Sequence, residues 1–385
     1  MADSRPRYGG GMDDHAPQPE GGAGPGPARL AELRAQIDDT DRKLLRLLDQ
    51  RIEYALQTAR LKAAITDSGR EDDVMNRVRA AAYGLLSEEF VSNLYGSIIE
   101  ESKRLQARRP RFGAFQGEHG AWSEMALDRH DPTLVPVACR GFADVFEGVL
   151  SGAFDRGVVP VENSLGGAVN EVTDLLIETP LSIVGEVRLP LRQCLMALPG
   201  TALAEIRSVR SHPQALVQCR GFLGRIGVTA DPYHDTAGAA RWLMFEGARG
   251  VGVIASPLAA RLYGLDIVAE DIADHHANET RFVLLSRQLH TGPADKGSIV
   301  LTTEDRSGAL MQALGAFADH RVNLSRIESR PVAGRRGSYT FLIDFAGDPG
   351  NDDVARALSA LGAQGVSYKV LGFYPSDHGP APGGR

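Results

Sequence analysis

The chain is poor in cysteine. It has three in 385 residues, Cys139, Cys194 and Cys219. They are too few and too widely spaced for a disulfide framework or a zinc site, and they suit a reducing compartment. Cys219, beside SHPQAL, reads as a small buried thiol. No run of about 18 apolar residues occurs, which excludes a membrane-spanning helix. Basic excess is lacking too: 42 Lys and Arg stand against 49 Asp and Glu, a net charge of -7, so no broad positive field awaits nucleic acid. The first residues have no apolar h-region and do not read as a secretory signal. Their Gly and Pro content predicts a disordered leader over 1–27, and DHGPAPGGR predicts a disordered tail over 377–385. These absences point to a cytoplasmic protein with no nucleic-acid or membrane partner and no metal.

What is present falls into three segments, a multidomain chain of α+β and α/β parts. Residues 28–108 read as all helix. Leu30, Leu33, Ile37, Leu44, Leu45, Leu48, Ile52 and Leu56 recur at threes and fours, and no Gly or Pro interrupts Ala28 to Thr66. A rod that long cannot bury its stripe alone and should pair with helices of a second chain. Ser68-Gly69 breaks it. Shorter helices follow at 70–82 and 87–107, the last with Ser87 as N-cap.

Residues 111–287 alternate short apolar strands with helical stretches, an α/β pattern. Strands are expected at 111–115, 133–138, 156–161, 181–189, 193–197, 208–211, 226–230, 250–254 and 282–285. Helices are expected at 121–130, 141–150, 168–177, 212–223, 235–247 and 256–263. The segment reads as two lobes with a cleft between them, the chain crossing near 184–191 and returning near 266–271. Residues 296–376 give strand, helix, strand, strand, helix, strand, the split β-α-β layout of a ferredoxin-like domain.

Five polar motifs lie at strand ends of the middle segment: GAFQGEHGAWSEMA (113–126), VPVENSLGG (159–167), SHPQALVQC (211–219), DTAGAA (235–240) and NETRF (278–282). In the first, Ser123 lies in the opening turn of a helix, where amide donors and a hydroxyl could hold an anion. Its glycines lack the spacing of a dinucleotide or Walker loop. Each motif alone also fits a cap, a turn or a packing glycine. Five together at strand ends favour a ligand cleft. In the helical segment Arg51 and Lys62 are about three turns apart and share a face. Arg34 is too far along the rod from them for one small ligand. Antiparallel pairing across a two-fold axis would bring the Arg34 of one chain to the Arg51 and Lys62 of the other. Ordinary surface charge fits the same spacing.

Residues 29–108 resemble the helical chorismate mutase domain. The resemblance implies that Arg34, Arg51 and Arg70 bind the substrate carboxylates, with Arg34 contributed by the opposite protomer. It implies that Lys62 and Gln106 hydrogen-bond the ether oxygen, and that Glu71 and Asp67 lie near the substrate hydroxyl. The loop between Lys62 and Arg70 is about four residues shorter than in the enterobacterial bifunctional enzyme. Residues 111–286 resemble prephenate dehydratase, a two-lobed fold similar to type II periplasmic binding proteins. ENSLGG and TRF carry this most specifically. The catalytic threonine then falls on Thr280, with Arg281 and Phe282 completing TRF, and Ser123, Glu162, Asn163, Ser164, Ser211 and His212 match cleft positions. Arg281 could anchor a carboxylate or act as a strut. SHPQAL and DTAGAA are also similar to the plant arogenate dehydratases. Trp122 stands where the prephenate dehydratase family often has Tyr.

Residues 297–376 resemble the ACT regulatory domain. Gly308, Ala309 and Leu310, with Asn323, Leu324, Glu328, Ser329 and Arg330 of NLSRIESRP, correspond to its phenylalanine site. The resemblances imply conversion of chorismate to prephenate and then to phenylpyruvate without a cofactor, with phenylalanine as effector, in a homo-oligomer, either dimer or tetramer. A mutase fused to an arogenate dehydratase, or an inactive amino-acid sensor, are the alternatives.

The composite arrangement has a direct test. Mixing an Arg34→Ala chain with a Lys62→Ala chain should yield heterodimers with one intact mutase site. Mutase activity should then exceed that of either parent. An absence of recovery with demonstrated subunit exchange would refute it.

Overall fold

The computed structural model describes residues 26–60, 68–82, 84–275, 277–303, 306–331 and 339–377. Lys62 and Asp67, and the expected leader and tail apart from Gly26, Pro27 and Asp377, lie outside these. Among the described residues, 26–42 form one unit and 43–377 a second. In the first, Leu30, Leu33 and Ile37 are exposed.

The first helix runs Gly26–Thr58, so it includes the last two residues of the expected leader and ends short of the expected Thr66. It stops where Arg60 docks on the α/β segment. Its guanidinium pairs with Asp155, donates to Pro110 O at 3.3 Å and lies over the Phe112 ring. Two more helices follow, Ser68–Ala81 and Glu88–Ala107, the latter capped by Ser87, whose Oγ accepts from Phe90 N.

Two sheets build the α/β segment. The first has the order Val135–Cys139, Phe112–Gln116, Arg156–Asn163, Glu279–Ser286, Ser182–Pro190, with a short strand, Gly167–Ala168, beside Arg156–Asn163. Its first three strands are parallel; Glu279–Ser286 runs antiparallel to both neighbours. The second has the order Asp266–Ala269, Cys194–Ala197, Val251–Ala255, Ser208–Ser211, Thr229–Pro232. Asp266–Ala269 is therefore a strand of the second lobe, and the chain returns to the first lobe only after it. The strand expected from Ile226 starts at Thr229, because Ile226 completes a helix that Gly227 ends with a positive φ.

The C-terminal segment has four antiparallel strands in the order Leu324–Pro331, Tyr339–Ala346, Lys296–Thr303, Ser367–Tyr374, backed by helices Ala309–Asp319 and Asp352–Ala363. Its other face packs on the first lobe. Val300, Leu342, Leu371 and Tyr374 share one apolar cluster with Val159, Val161, Leu176 and Ile183. The approach is close at Gly372, where a Cβ would lie 2.1 Å from Ile183 O. Among the described residues no helix is long and apolar enough to cross a membrane.

The lobes meet at the loop before the helix Trp122–His130. Ser256 Oγ donates to Gly120 O at 2.6 Å and Tyr263 OH to His119 O at 2.7 Å. Gly120 has φ +91, and a Cβ there would lie 2.8 Å from Ala259 Cα. Gly120→Ala therefore combines backbone strain with a clash against helix backbone. It should lower the unfolding free energy by about 2–4 kcal/mol in urea titration.

Candidate active site

Thr280 lies one residue into the strand Glu279–Ser286, opposite Asn163 on one side and Leu189 on the other, and is buried. Asn163 fixes its hydroxyl. The Asn163 Oδ1 accepts from Leu165 N at 3.0 Å and Gly166 N at 2.8 Å, which sets the amide orientation. Its Nδ2 then donates to Thr280 Oγ1 and to Asn278 Oδ1, each at 2.8 Å. A lone pair of Thr280 is thus occupied, and its hydrogen meets no acceptor among the described residues. Asn278 Nδ2 continues to Gln218 Oε1 at 3.2 Å, which also accepts from Gln193 Nε2 at 3.3 Å. This amide chain reaches from Thr280 into the second lobe. Sequence reasoning missed Asn278, Gln218 and Gln193 as site residues, although the first two lie inside quoted motifs.

Other expected residues have different partners. Ser164 staples the loop to the strand: its Oγ donates to Ala277 O at 3.1 Å and accepts from Glu279 N at 2.9 Å. Ser211 is fully buried and donates to Ile254 O at 2.6 Å, so it braces the second sheet. The His212 imidazole Nδ1 accepts from Gln214 N at 3.2 Å and caps its helix. Ser123 is buried in its helix's first turn. Just before that turn, Glu124 Oε2 accepts from Gly120 N at 2.5 Å.

TRF divides by strand alternation. Thr280 and Phe282 share a face, and Arg281 takes the opposite one. Phe282 is core, packed with Phe115, Leu127, Val158 and Leu189, and therefore lines no ligand surface. Arg281 is a strut and not a substrate anchor. It is buried, donating Nη1 to Glu186 Oε2 at 2.9 Å and Nη2 to Asp344 Oδ2 at 2.5 Å. Glu162 stays half exposed, its carboxylate 3.8 Å from Arg281 Nε. Burial disfavours the charge on Arg281, but Asp344 and Glu186 outweigh it and hold its pKa above the ordinary value. Burial likewise pushes Asp344 upward, and Arg281, Arg326 and Ser298 overcome it to keep the carboxylate ionised.

In the helical segment Arg51 Nη1 donates to Ser102 Oγ at 3.1 Å, with desolvation lowering the arginine's pKa. Buried Gln106 donates to Ala55 O, and Glu71 Oε2 accepts from Lys103 Nζ at 3.2 Å. The structure thus brings Arg51, Ser102 and Gln106 onto one helix pair. Ser102 was missed. Arg34 is exposed in the first unit, and Arg70 is exposed in the second helix, with an interaction partner.

In the C-terminal segment Gly308, at φ +82, caps the helix that Ala309 and Leu310 begin. Asn323 and Ser329 are exposed, while Leu324 and Glu328 are half-buried. Arg330, expected in the effector site, instead grips Asp174 through Nε and Nη2, both at 2.6 Å. Its fork is taken by a carboxylate of the first lobe.

The helical segment meets the cleft loop through His119. Its Nε2 faces Glu53 Oε2 at 2.8 Å and its Nδ1 faces Glu124 Oε1 at 3.0 Å. Burial opposes the imidazolium, yet hydrogen bonds to Glu124 and Glu53 raise the pKa from 6.5 to about 9. A cavity of about 630 Å³ opens beside it, lined by Glu53, Tyr54, Gly117, Arg140 and Arg241. Among the described residues no cluster could hold a metal ion.

Three family models match: prephenate dehydratase over residues 114–290, chorismate mutase type II over 33–107 and ACT domain over 297–363. The chain is 33% identical over 374 residues to the bifunctional chorismate mutase/prephenate dehydratase of Escherichia coli strain K12, covering 91% of this chain and 97% of that protein. It is 39% identical over 305 residues to arogenate dehydratase/prephenate dehydratase 2, chloroplastic, of Arabidopsis thaliana, covering 76% and 78% of the two. Among solved structures, the prephenate dehydratase from Arthrobacter aurescens in complex with L-Phe is similar with a TM-score of 0.63 and 34% identity, over 69% of this chain and 89% of that one.

The His119 bridge predicts a pH dependence. A pKa raised in the folded state stabilises fully below the unfolded value of 6.5 and is lost as pH rises through about 9. Wild type should therefore lose up to about 3 kcal/mol of stability between those limits. His119→Gln should be less stable at pH 6 and flatter over the same window, as read by urea melts at each pH.

Proposed function

The chain belongs to the bifunctional chorismate mutase/prephenate dehydratase family, and from that premise we propose how its residues divide the work. The enzyme rearranges chorismate to prephenate, then dehydrates and decarboxylates prephenate to phenylpyruvate. The rearrangement is pericyclic and asks only for a held geometry and stabilised charge. Arg51 and Arg70, with Arg34 of a second protomer, hold the two carboxylates. Lys62 and Gln106 meet the negative charge growing on the ether oxygen, with Glu71 and Asp67 near the hydroxyl. The exposed Leu30, Leu33 and Ile37, and separately Leu44, Leu45, Leu47 and Tyr54, are what a homo-oligomer would cover. We place the enzyme in the cytoplasm.

In dehydration the ring carboxylate leaves as CO2, its bonding electrons enter the ring, and the ring hydroxyl departs as water after taking a proton. Thr280 polarises that leaving oxygen. The observation that carries this role is the Asn163 bond, which fills a Thr280 lone pair and leaves its hydrogen for the substrate. A threonine hydroxyl is a weak acid, so it orients and polarises, and aromatisation supplies much of the drive. Phenylalanine is proposed to bind the C-terminal domain at Gly308, Ala309, Leu310, Asn323, Leu324, Glu328 and Ser329. A similar structure holds that amino acid. The Arabidopsis relative's name keeps arogenate as a second substrate to test.

Purified full-length protein given chorismate, prephenate and arogenate separately, with products resolved, tests the reading. Turnover of arogenate and not prephenate would replace the second step. Thr280→Ala should lower prephenate dehydration by on the order of a hundredfold, about 3 kcal/mol, and Thr280→Ser should recover part of it. Mutase turnover should be unchanged in both. Near wild-type dehydration by Thr280→Ala would make the threonine structural.

A further inference from the structure

We propose that Asp344, supplied by the C-terminal domain, is a positioning residue for dehydration, acting through Arg281 on Thr280. The proposal rests on the role of Thr280 given above. Strand pairing is unbroken on one side of Thr280 only, where the register with Ser182–Pro190 runs from Glu279 to Leu284. The register between Glu279–Ser286 and Arg156–Asn163 shifts between Arg281 and Phe282, so the ladder is discontinuous one residue beyond the threonine. At that break the side chain of Arg281 is fixed from behind.

The grip is built in layers. Asp344, 1% exposed, receives Arg281 on one oxygen and Ser298 Oγ at 2.6 Å on the other. Ser298 Oγ is itself 2.6 Å from Tyr374 OH. Glu186, the other partner of Arg281, receives Lys296 Nζ at 2.7 Å. Ser298, Asp344, Tyr374 and Lys296 belong to the C-terminal domain, whereas Arg281 and Glu186 belong to the dehydratase. The second site strand is held from the same side, since Arg326 Nη2 donates to Val161 O at 3.4 Å, two residues before Asn163. The Thr280–Asn163 bond therefore joins two strands that the C-terminal sheet holds from behind. A hydrogen bond of 2.8 Å survives displacements of only a few tenths of an ångström. Removing the Asp344 charge leaves two buried cations, Arg281 and Lys296, on Glu186, with only the half-exposed Glu162 carboxylate near Arg281 besides, 3.8 Å from its Nε. Arg281 must then shift, and Thr280 shifts with it.

The test uses the full-length chain. Asp344→Asn, Arg281→Gln and their double variant are assayed for kcat and KM with prephenate, with mutase turnover of the same chain as internal control. Hydrogen–deuterium exchange of 279–286 is followed in parallel. Lys369→Met is the comparison, because it cuts another interdomain contact, Lys369 Nζ to Ile177 O at 2.7 Å and Thr179 O at 2.8 Å, away from the grip. Asp344→Asn should lower kcat by at least about tenfold with KM moved less than about twofold, and should speed exchange in 279–286. The double variant should be no worse than the weaker single, since both act through one contact. Lys369→Met should leave kcat unchanged. If Asp344→Asn loses mutase activity as well, the milder Ser298→Ala decides, with a kcat loss of about threefold expected. Wild-type kcat and exchange in Asp344→Asn, or in Ser298→Ala where that variant decides, would overturn the proposal. So would losses that multiply in the double variant, or an equal kcat loss in Lys369→Met. If wild type itself fails to dehydrate prephenate, the functional reading falls, and the exchange result alone decides the grip.

Discussion

The dehydratase depends on a buried ionic contact, Arg281 between Glu186 and Asp344. Dehydrating such groups is expensive, and the arrangement holds only because each is paired and hydrogen-bonded. Lys296 completes Glu186 and Ser298 completes Asp344. Two cations face two anions, all four side chains nearly buried. An apolar plug could fill the same space, but it would slide. Charged forks have one good geometry, and that geometry transmits position from one domain to the next. The regulatory domain is consequently part of the dehydratase's wall, as the shared cluster around Val300, Leu342 and Ile183 also shows.

The other junction follows a different rule. The helical segment meets the dehydratase through Arg60 on Asp155 and Glu53 on His119, with Leu56 packed beside Phe112 and Val137. The more exposed Arg60 pair contributes little, while the His119 bridge is mostly buried. The helices' apolar residues, Leu44 and Leu45 among them, stay uncovered. A second copy of the chain is the partner proposed for them.

Much of this was legible in the sequence. Period-two and period-three-to-four patterns placed nearly every strand and helix, because each element buries one face and the pattern records it. ENSLGG and TRF placed Asn163 and Thr280, which the structure joins by one bond. Directions were less legible. Alternation shows that Thr280 and Arg281 point apart, but not which side is the cleft; the deciding partner, Asp344, lies 63 residues away. Ser211 and Arg330 read as ligand groups because a hydroxyl or guanidinium bound internally looks the same in sequence as one awaiting substrate. Glu124 takes the Gly120 amide just before the helix expected to hold an anion, a pairing made by side-chain reach. The helix end at Thr58, two residues before Arg60 reaches the next domain, carries no Gly or Pro to mark it in the sequence.

Strand order in the first lobe has a consequence for how the protein is made. Glu279–Ser286 lies between Arg156–Asn163 and Ser182–Pro190, yet it is translated after the entire second lobe. Until it emerges from the ribosome, its two neighbours present open edges with no ladder between them. The first lobe can close only by inserting its last strand into its middle, a long-range step that slows folding. The second lobe suffers no such delay, since all its strands lie within one stretch of chain. The nascent enzyme should thus acquire its halves out of sequence order, with the second lobe complete first and the site threonine among the last residues to be locked in place.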